Sequence, residues 1–325
     1  MSGPQAMILA AGLGTRLWPL TDDRAKPAVP FLGEPLVARL ARHLGRCGFS
    51  EVVVNTHHKA ESVQDALRDA PQRLGLKVAF SHETEILGTA GCLGQAMDSG
   101  LLDPSRPVVV INGKLETDID PRAALSTHEA TEAAVTMVLM PNRARAAFRE
   151  VKIQGDRVVG FGEGRQPEGP QPLLFTGIHV LGPDALDQIP RGFSDTVRDV
   201  YPQFIDAGRV AAHVYDQARW WEFSTLERYL ELHREAHRIG LGPDVVLSPG
   251  AHIEAGAEVS ASVLWEGAQV AQGAVVRRAL IGPGVRIEAG ETVQDAVVVD
   301  RARVSEVVRG TPWGDRLLVP VGRDP

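Results

Sequence analysis

The carboxyl-terminal part of the chain carries a repeat that few architectures can accommodate. Successive apolar positions lie five or six residues apart, and small residues, mostly glycine, precede most of them. This spacing predicts a three-sided coil with one inward-facing residue on each side. Three series of apolar residues advance in steps of 17 residues: Ile253, Val270 and Ile287; Val259, Val276 and Val293; and Leu264, Ile281 and Val298.

This pattern resembles the hexapeptide repeat of left-handed parallel β-helices. We therefore predict a β-helix domain over residues 241–325. A set of ordinary short strands is the alternative, but three series that keep one step make it a poor explanation. Because the open ends of such a coil must be covered, the β-helix is expected to mediate formation of a homo-oligomer.

Residues 1–240 alternate strand-like and helix-like segments, which predicts an α/β domain with a mixed, mostly parallel, Rossmann-like sheet. In such sheets ligands bind at the carboxyl ends of the strands. Antiparallel strands are expected between residues 150 and 180. The other predicted strands are 7–10, 51–55, 76–80, 108–112 and 133–140, and the predicted helices are 35–47, 60–67, 121–130, 196–207 and 225–239.

The bulk composition excludes several classes of partner. The net charge is −7, from 34 basic and 41 acidic residues, so the chain lacks the basic surface that nucleic-acid binding needs. No segment reads as a signal peptide or a membrane span. Cys47 and Cys92 are too few for a disulfide scaffold and have no metal-ligand spacing. These features favour a cytoplasmic protein with reduced thiols and no membrane partner.

The strongest local signal is a glycine-containing loop after the first strand. Residues 10–21 read Ala-Ala-Gly-Leu-Gly-Thr-Arg-Leu-Trp-Pro-Leu-Thr, and Lys26 follows shortly after. Gly12 and Gly14 allow backbone N–H groups to surround phosphate oxygens. Arg16 adds a planar fork and Lys26 a mobile charge. A dinucleotide fingerprint would need glycine where Leu17 stands, and the Gly-Lys-Ser/Thr of a Walker loop is absent.

Residues 10–21, together with Lys26-Pro27, resemble the opening motif of the sugar nucleotidyltransferases, the NDP-sugar pyrophosphorylases of mannose-1-phosphate guanylyltransferase type. Ala25 stands where many members have proline. The similarity continues through residues 33–36, 87–91 and 175–178 and into the repeat. It implies an enzyme that joins a nucleoside triphosphate to a sugar 1-phosphate and releases pyrophosphate.

The resemblance also implies roles for individual residues. Arg16 would stabilise the departing pyrophosphate, and Lys26 would lie on the α-phosphate. The sugar would bind Glu163, Thr176 and Gly177, although Gly164 replaces the lysine that usually follows the glutamate. The nucleotide would bind Ala11, Gly12, Gly14, Thr15, Gly88, Thr89, Gly91 and Asn112. For residues 88–91 the alternative is the start of a plain helix at Ala90.

Two departures concern Mg²⁺, the cofactor that the family implies. Lys114 occupies the position of one metal-binding aspartate and Glu222 that of the other. Glu222 can still ligate Mg²⁺, although its extra methylene group moves the carboxylate, whereas the ammonium group of Lys114 cannot ligate a hard cation. If the two positions face each other, Lys114 and Glu222 are expected to form an ion pair. The lysine is compatible with a degenerate binding protein, with slower or metal-independent chemistry, or with an engineered change. The acidic residues that follow could offer carboxylates, but a solvated loop after the strand is the favoured interpretation: Glu116, Asp118 and Asp120.

Nucleotidyl transfer to a sugar 1-phosphate is the leading functional hypothesis. The Leu-Gly-Thr-Ala-Gly sequence at 87–91 resembles guanylyl- or cytidylyl-type members more than thymidylyl-type ones, so GTP is slightly favoured. The alternative is a catalytically degenerate nucleotide-sugar-binding protein with a regulatory or assembly role. Acyl transfer is disfavoured, because His252 is the only histidine in the predicted coils.

Overall fold

The structure is a computed structural model that describes residues 4–143, 148–162 and 172–322. The chain forms two compact units that are not contiguous in sequence. The sheet unit comprises residues 1–12 and 37–221, and the tail unit comprises residues 13–36 and 222–325. Within the described residues, none of the helices combines the length and apolar character needed to cross a bilayer.

The secondary-structure elements are numbered in chain order. The first strands are β1 (Gln5–Leu9), β2 (Pro30–Phe31), β3 (Glu34–Pro35), β4 (Glu51–Thr56), β5 (Lys77–His82), β6 (Val108–Asn112), β7 (Leu115–Thr117), β8 (Val135–Pro141), β9 (Glu150–Gln154), β10 (Arg157–Phe161), β11 (Leu173–Leu181), β12 (Val210–Val214) and β13 (Trp220–Glu222). The helices are α1 (Leu36–Arg46), α2 (Ala60–Leu67), α3 (Ala70–Leu74), α4 (Gly88–Asp98), α5 (Pro121–Thr131), α6 (Pro183–Asp187), α7 (Tyr201–Asp206) and α8 (Leu226–Arg238). The later strands are β14 (Val246–Leu247), β15 (His252–Ile253), β16 (Glu258–Ser260), β17 (Val263–Leu264), β18 (Gln269–Val270), β19 (Val275–Arg277), β20 (Leu280–Ile281), β21 (Arg286–Ile287), β22 (Thr292–Gln294), β23 (Ala296–Asp300), β24 (Thr311–Trp313) and β25 (Arg316–Pro320).

The sheet unit is built on a nine-stranded mixed sheet with the order β5-β4-β1-β6-β11-β8-β12-β10-β9. Strands β5, β4, β1 and β6 are parallel to one another. Strand β11 runs antiparallel between β6 and β8, and β12 lies parallel to β8. The mixed α/β sheet predicted from the sequence is confirmed, and β1 delivers its carboxyl end between the ends of two parallel neighbours.

Helix α4 was predicted only as the alternative to a nucleotide-binding loop, with a start at Ala90, and it begins at Gly88. It contains Gly88, Gly91 and Gly94, and glycine lowers helix propensity by about 1 kcal/mol per residue relative to alanine. Its apolar residues, such as Cys92 and Leu93, are fully buried in the core of the sheet unit. Tertiary packing therefore stabilises a helix that local propensity does not predict.

The repeat of the tail unit folds as a parallel β-helix with three sheets. In the sheet of β15, β18 and β21, Ile253 pairs with Val270 and Val270 with Ile287. The other two series pair in the same way through β16, β19 and β22 and through β17, β20 and β23. The predicted 17-residue step is thus the register of the β-helix. After the last coil, β25 pairs antiparallel with β23 and carries β24 on its other edge.

Residues 13–36 belong to the core of the tail unit. The Tyr229 hydroxyl donates to the carbonyl oxygen of Pro30 at 2.5 Å, and the Trp265 indole Nε1 donates to that hydroxyl oxygen at 3.3 Å. The ring of Phe31 packs edge-on against Phe223, with 4.9 Å between the centroids. Strand β2 is therefore supported by α8 and the β-helix.

Candidate functional site

The first loop begins where β1 ends. The backbone N–H of Ala10 donates to the side-chain oxygen of Asn55 at 2.7 Å. Gly12 is exposed, and a Cβ built on it would meet no atom within 4 Å. Its φ lies outside the left-handed region that favours glycine. Since neither packing nor backbone conformation requires glycine at this position, the open space beside Gly12 is available to a ligand.

The remainder of this loop is held in a tight conformation within the tail unit. Gly14 has φ of 70° and caps the turn Thr15–Leu17. The Thr21 hydroxyl donates to the carbonyl oxygen of Gly14 at 3.1 Å, and a Cβ on Gly14 would lie 2.9 Å from the Cβ of Lys26. Lys26 is only 8% exposed, whereas Arg16 is exposed. The loop thus brings Lys26 against Gly14 and leaves the guanidinium of Arg16 at the surface.

The second loop, at the start of α4, is closed by another part of the sheet unit. The carbonyl oxygen of Ser194 accepts hydrogen bonds from the backbone N–H groups of Ala90 at 2.8 Å and Gly91 at 3.2 Å. A Cβ on Gly91 would lie 2.1 Å from the carbonyl oxygen of Gly192, and one on Gly88 would lie 2.5 Å from that of Ser194. These two glycines therefore allow residues 192–194 to approach α4.

The side chain of Thr89 is also engaged within the sheet unit. Its hydroxyl donates to a carboxylate oxygen of Asp195 at 3.1 Å and accepts from the backbone N–H of Thr196 at 3.0 Å. The sequence pattern did not indicate residues 194–196, although Ser194 and Asp195 accept the hydrogen bonds that residues 89–91 donate. The nucleotide-binding role of Gly88, Thr89 and Gly91 stays a prediction.

Strands β6 and β11 bring three predicted residues together. Gly177 has φ of 75°, and a Cβ there would lie 2.2 Å from Nδ2 of Asn112. The Thr176 hydroxyl is buried and donates to the carbonyl oxygen of Val138 at 2.8 Å, while Trp220 Nε1 donates to the Thr176 carbonyl at 2.8 Å. Asn112 and Gly177 are therefore adjacent, and the sugar-binding role of Thr176 and Gly177 stays a prediction. Glu163 lies outside the described residues.

The sequence did not predict a buried polar pair, Asn55 and Glu83, that links Ala10 at the start of the first loop to Leu87 at the start of the second. Glu83 is 1% exposed, and its carboxylate accepts from Asn55 Nδ2 at 2.5 Å and from the backbone N–H of Leu87 at 2.9 Å. Asn55 in turn accepts from Ala10. Asn55 lies at the end of β4 and Glu83 just after β5, so polar residues at the carboxyl ends of parallel strands were the available signal.

The acidic residues after β6 are committed to other partners. Glu116 is buried and accepts two hydrogen bonds from the guanidinium of Arg39, both at 2.8 Å. Asp118 accepts from the backbone N–H of Arg219 at 2.7 Å. Asp120 caps α5. The prediction of a solvated loop is wrong for Glu116, because the Arg39 side chain satisfies its carboxylate inside the sheet unit.

The residues at the expected metal positions do not fit a magnesium site with two protein carboxylates. The turn after β6 contains Gly113, whose backbone N–H donates to the carbonyl oxygen of Leu9 at 2.9 Å. Lys114 is the next residue, and it therefore brings an ammonium group, not a carboxylate, to this turn. No cluster of three His, Cys, Asp or Glu residues that could hold a metal ion occurs in the described part of the chain. Glu222 ends β13 and belongs to the tail unit. The ion pair between Lys114 and Glu222 stays a prediction.

Comparison with protein families matches both parts of the chain. Residues 5–238 match the model described as nucleotidyl transferase. Residues 232–310 match the model described as GlmU-like, C-terminal hexapeptide, which agrees with the predicted left-handed β-helix.

Three curated proteins illustrate the similarity. A UTP–glucose-1-phosphate uridylyltransferase of Synechocystis is 29% identical over 270 residues, covering 76% of this chain and 68% of that protein. A mannose-1-phosphate guanylyltransferase of Mycobacterium tuberculosis is 29% identical over 302 residues, covering 84% and 83%. A probable mannose-1-phosphate guanylyltransferase of Oryza sativa is 26% identical over 314 residues, covering 85% of each chain.

Solved structures share the fold. HddC from Yersinia pseudotuberculosis, solved in complex with GMP-PN, has a TM-score of 0.60 and 24% identity, over 72% of this chain and 99% of that one. A putative glucose-1-phosphate thymidylyltransferase from Bacillus anthracis, in complex with a sucrose, has a TM-score of 0.60 and 20% identity, over 72% and 96%.

Proposed function

Because the chain belongs to the nucleotidyl transferase family, we propose that it transfers a nucleotidyl group from a nucleoside triphosphate to a sugar 1-phosphate. The observation that carries this proposal is the first loop. Gly12 faces open space that its own chain does not fill, and Arg16 is exposed on the turn that follows. Backbone N–H groups and a guanidinium group are the donors that a polyphosphate requires.

The proposed reaction is an in-line displacement at the α-phosphorus. A phosphate oxygen of the sugar 1-phosphate forms the new P–O bond, and the bond to the bridging oxygen breaks to release pyrophosphate. Arg16 neutralises charge on the leaving group, and Lys26 stabilises charge on the α-phosphate. Ala11, Gly12, Gly14 and Thr15 position the phosphates. Glu222 is proposed as the one protein carboxylate for Mg²⁺, because Lys114 occupies the position of the other.

The base and the sugar are proposed to bind the other predicted residues. Gly88, Thr89, Gly91 and Asn112 are proposed for the nucleoside. Glu163, Thr176 and Gly177 are proposed for the sugar. GTP is the first candidate, because the rice and mycobacterial relatives are named guanylyltransferases. UTP is the next, from the name of the cyanobacterial relative.

Lys114 favours a second candidate, a protein that binds nucleotide sugars without turnover. The neighbouring carboxylates are already bound by arginine or backbone groups, so none replaces the missing aspartate. A pyrophosphate-release assay with GTP, UTP, CTP, ATP and dTTP against several hexose 1-phosphates, with and without Mg²⁺, separates the candidates. Turnover supports transfer, whereas calorimetric binding without turnover supports the second candidate. No binding of any nucleotide or nucleotide sugar contradicts both.

Substitution of Lys114 tests the metal position directly. We expect Lys114→Asp to increase Mg²⁺-dependent pyrophosphate release by at least about tenfold, because a carboxylate there can ligate the ion. Lys152→Asp is the matched control, since Lys152 is an exposed lysine on β9. An equal response in both variants would show that the gain does not come from a metal ligand.

We propose that the protein acts in the cytoplasm as a homo-oligomer formed through the tail unit. Ile253 and Val259 of the first coil are half-buried, whereas Val270 and Val276 of the next coil are fully buried. Leu247 is 49% exposed at the same end. A second copy would cover these apolar side chains. Light scattering should show a mass above 35.0 kDa, and a monomer at micromolar concentration would contradict the proposal.

A further inference from the structure

A short segment of the tail unit lies between the last coil and the terminal hairpin. Residues 301–309, here called the strap, follow β23 and precede β24. The strap begins with the turn Arg301–Arg303, which is capped by the Asp300 carboxylate through the backbone N–H of Ala302 at 2.8 Å. This segment adds no strand to the β-helix, so strand pairing with the coils does not fix its position.

Three residues of the strap contact residues 18–23, all within the tail unit. Ser305 donates to the carboxylate of Asp22 twice, from its backbone N–H at 2.6 Å and from its hydroxyl at 2.8 Å. Arg303 forms an ion pair with Asp23 at 3.3 Å. The Arg309 guanidinium donates to the carbonyl oxygen of Trp18 at 3.5 Å.

These contacts fall between the two ends of the proposed phosphate-binding loop. Asp22 follows Thr21, whose hydroxyl donates to the carbonyl oxygen of Gly14. The backbone N–H of Asp22 also donates to the carbonyl oxygen of Pro19 at 3.2 Å. Gly14 in turn lies against Lys26. A continuous series of contacts therefore runs from Ser305 through Asp22 to the residues proposed to hold the triphosphate.

The loop also has an anchor in the β-helix, through Arg24, which pairs with Asp23 at 3.2 Å. The guanidinium of Arg24 lies 4.5 Å from the ring centroid of Trp265 and forms an ion pair with Glu266 at 3.7 Å. Loss of the strap contacts should therefore loosen residues 14–23 without unfolding the tail unit.

We propose that Ser305, supported by Arg303, is a positioning residue that holds the phosphate-binding loop ready for the nucleoside triphosphate. The inference rests on the proposed function. Two donors on one carboxylate fix its position, and charge-assisted bonds of this kind are stronger than neutral ones. A loop that is already ordered loses less conformational entropy when the ligand binds. The strap thus makes nucleotide affinity depend on the carboxyl-terminal segment of the same chain.

The central test compares Ser305→Asp with Ser305→Asn. The aspartate places a like charge beside Asp22, whereas the asparagine keeps a donor and adds no charge. Val308→Asp adds the same charge to the strap at a residue that is 69% exposed, and serves as the matched control. Circular dichroism and thermal unfolding check that each variant folds.

The first measurement is hydrogen exchange of residues 13–28 without any ligand. We expect exchange at least about tenfold faster in Ser305→Asp and nearly unchanged in Ser305→Asn and Val308→Asp. Exchange that is the same in all four proteins would overturn the proposal. If Ser305→Asp does not fold, Ser305→Ala and Asp22→Asn replace it, and equal exchange in those variants overturns the proposal as well.

The second measurement is the dissociation constant for GTP and for inorganic tripolyphosphate. We expect Ser305→Asp to weaken the binding of both ligands by about tenfold or more. Ser305→Thr retains the hydroxyl and should bind both ligands nearly as wild type does. In a double-mutant cycle, Asp22→Asn and Ser305→Ala should be non-additive. If wild type and Ser305→Asp bind the ligands equally tightly, the positioning role of Ser305 is contradicted and the proposed function is not. Failure of wild type to bind either probe contradicts the proposed function, and the exchange result then still decides whether the strap orders the loop.

Discussion

The two glycine-containing loops of the molecule differ in what makes glycine necessary. In the first loop, a Cβ on Gly12 would meet nothing within 4 Å. In the second loop, a Cβ on Gly91 would lie 2.1 Å from the carbonyl oxygen of Gly192, and one on Gly88 would lie 2.5 Å from that of Ser194. The space beside Gly12 is open, whereas the space in which a Cβ of Gly88 or Gly91 would lie is filled by residues 192–194.

This difference shows that a motif glycine does not by itself indicate a ligand. Both loops belong to regions that resemble the same family, and both follow the carboxyl end of a parallel strand. Only the surroundings distinguish a glycine with open space beside it from one that accommodates a neighbouring backbone. The comparison makes opposite predictions for identical substitutions in the two loops.

The largest effect is expected for Gly91→Ala. The added methyl group would overlap a backbone carbonyl oxygen, which cannot move as a flexible side chain does, and the cost should be about 3 kcal/mol. Thermal unfolding measures the loss. Gly94→Ala is the control on the same helix, where the nearest atom lies at 3.5 Å. It should stabilise the protein by about 0.5–1 kcal/mol, as expected for glycine to alanine in a helix. Equal Tm values for the two variants would contradict the proposed packing.

Glu83→Gln should have the next largest effect, because Glu83 supports the beginnings of both loops. The buried carboxylate accepts from Asn55 and from Leu87. In a glutamine, the side-chain NH₂ group would face one of these two N–H donors and leave it without an acceptor. The free energy of unfolding should fall by about 2 kcal/mol. Glu85→Gln is the matched control, because Glu85 is exposed. A Tm for Glu83→Gln equal to that of the control would show that the pair does not hold the loops.

Gly12→Ala should weaken nucleotide binding and leave stability unchanged. The methyl group has room in the free protein but occupies the space proposed for phosphate oxygens. We expect GTP affinity to fall by at least about tenfold, which corresponds to about 1.4 kcal/mol. Calorimetric titration beside thermal unfolding measures both quantities, and Gly94→Ala should bind as wild type does. Unchanged GTP affinity would show that the open space beside Gly12 does not hold phosphate. It would remove the main support for the phosphate site in the first loop.

The smallest effect is expected for Thr89→Val in the second loop. The valine loses the hydroxyl that donates to Asp195 and accepts from Thr196, at a cost of about 1 kcal/mol in the free energy of unfolding. Thr89→Ser keeps the hydroxyl and should recover most of that loss. If Thr89→Val lowers nucleotide affinity far more than it lowers Tm, then Thr89 acts on the ligand and not only on residues 195–196.

The sequence predicted features that depend on residues near one another along the chain. The 17-residue step became the register of the β-helix, because each side of a coil returns the same apolar position to the interior. Segment 60–67 was predicted as the helix that the structure contains. Helix α4 was only the alternative prediction for its segment, because glycine is a poor helix former. Burial of Glu116 was missed because its partner Arg39 lies 77 residues away.

The sequence by itself determined the repeat of the tail, the alternation of strands and helices and the donors of the first loop, since these follow from local spacing and side-chain chemistry. Only the tertiary structure decided that residues 13–36 join the tail unit, that Ser305 meets Asp22 and that residues 192–194 fill the second loop. The reason is physical. A close approach between distant segments depends on how the whole unit packs, and no local pattern of residues specifies it.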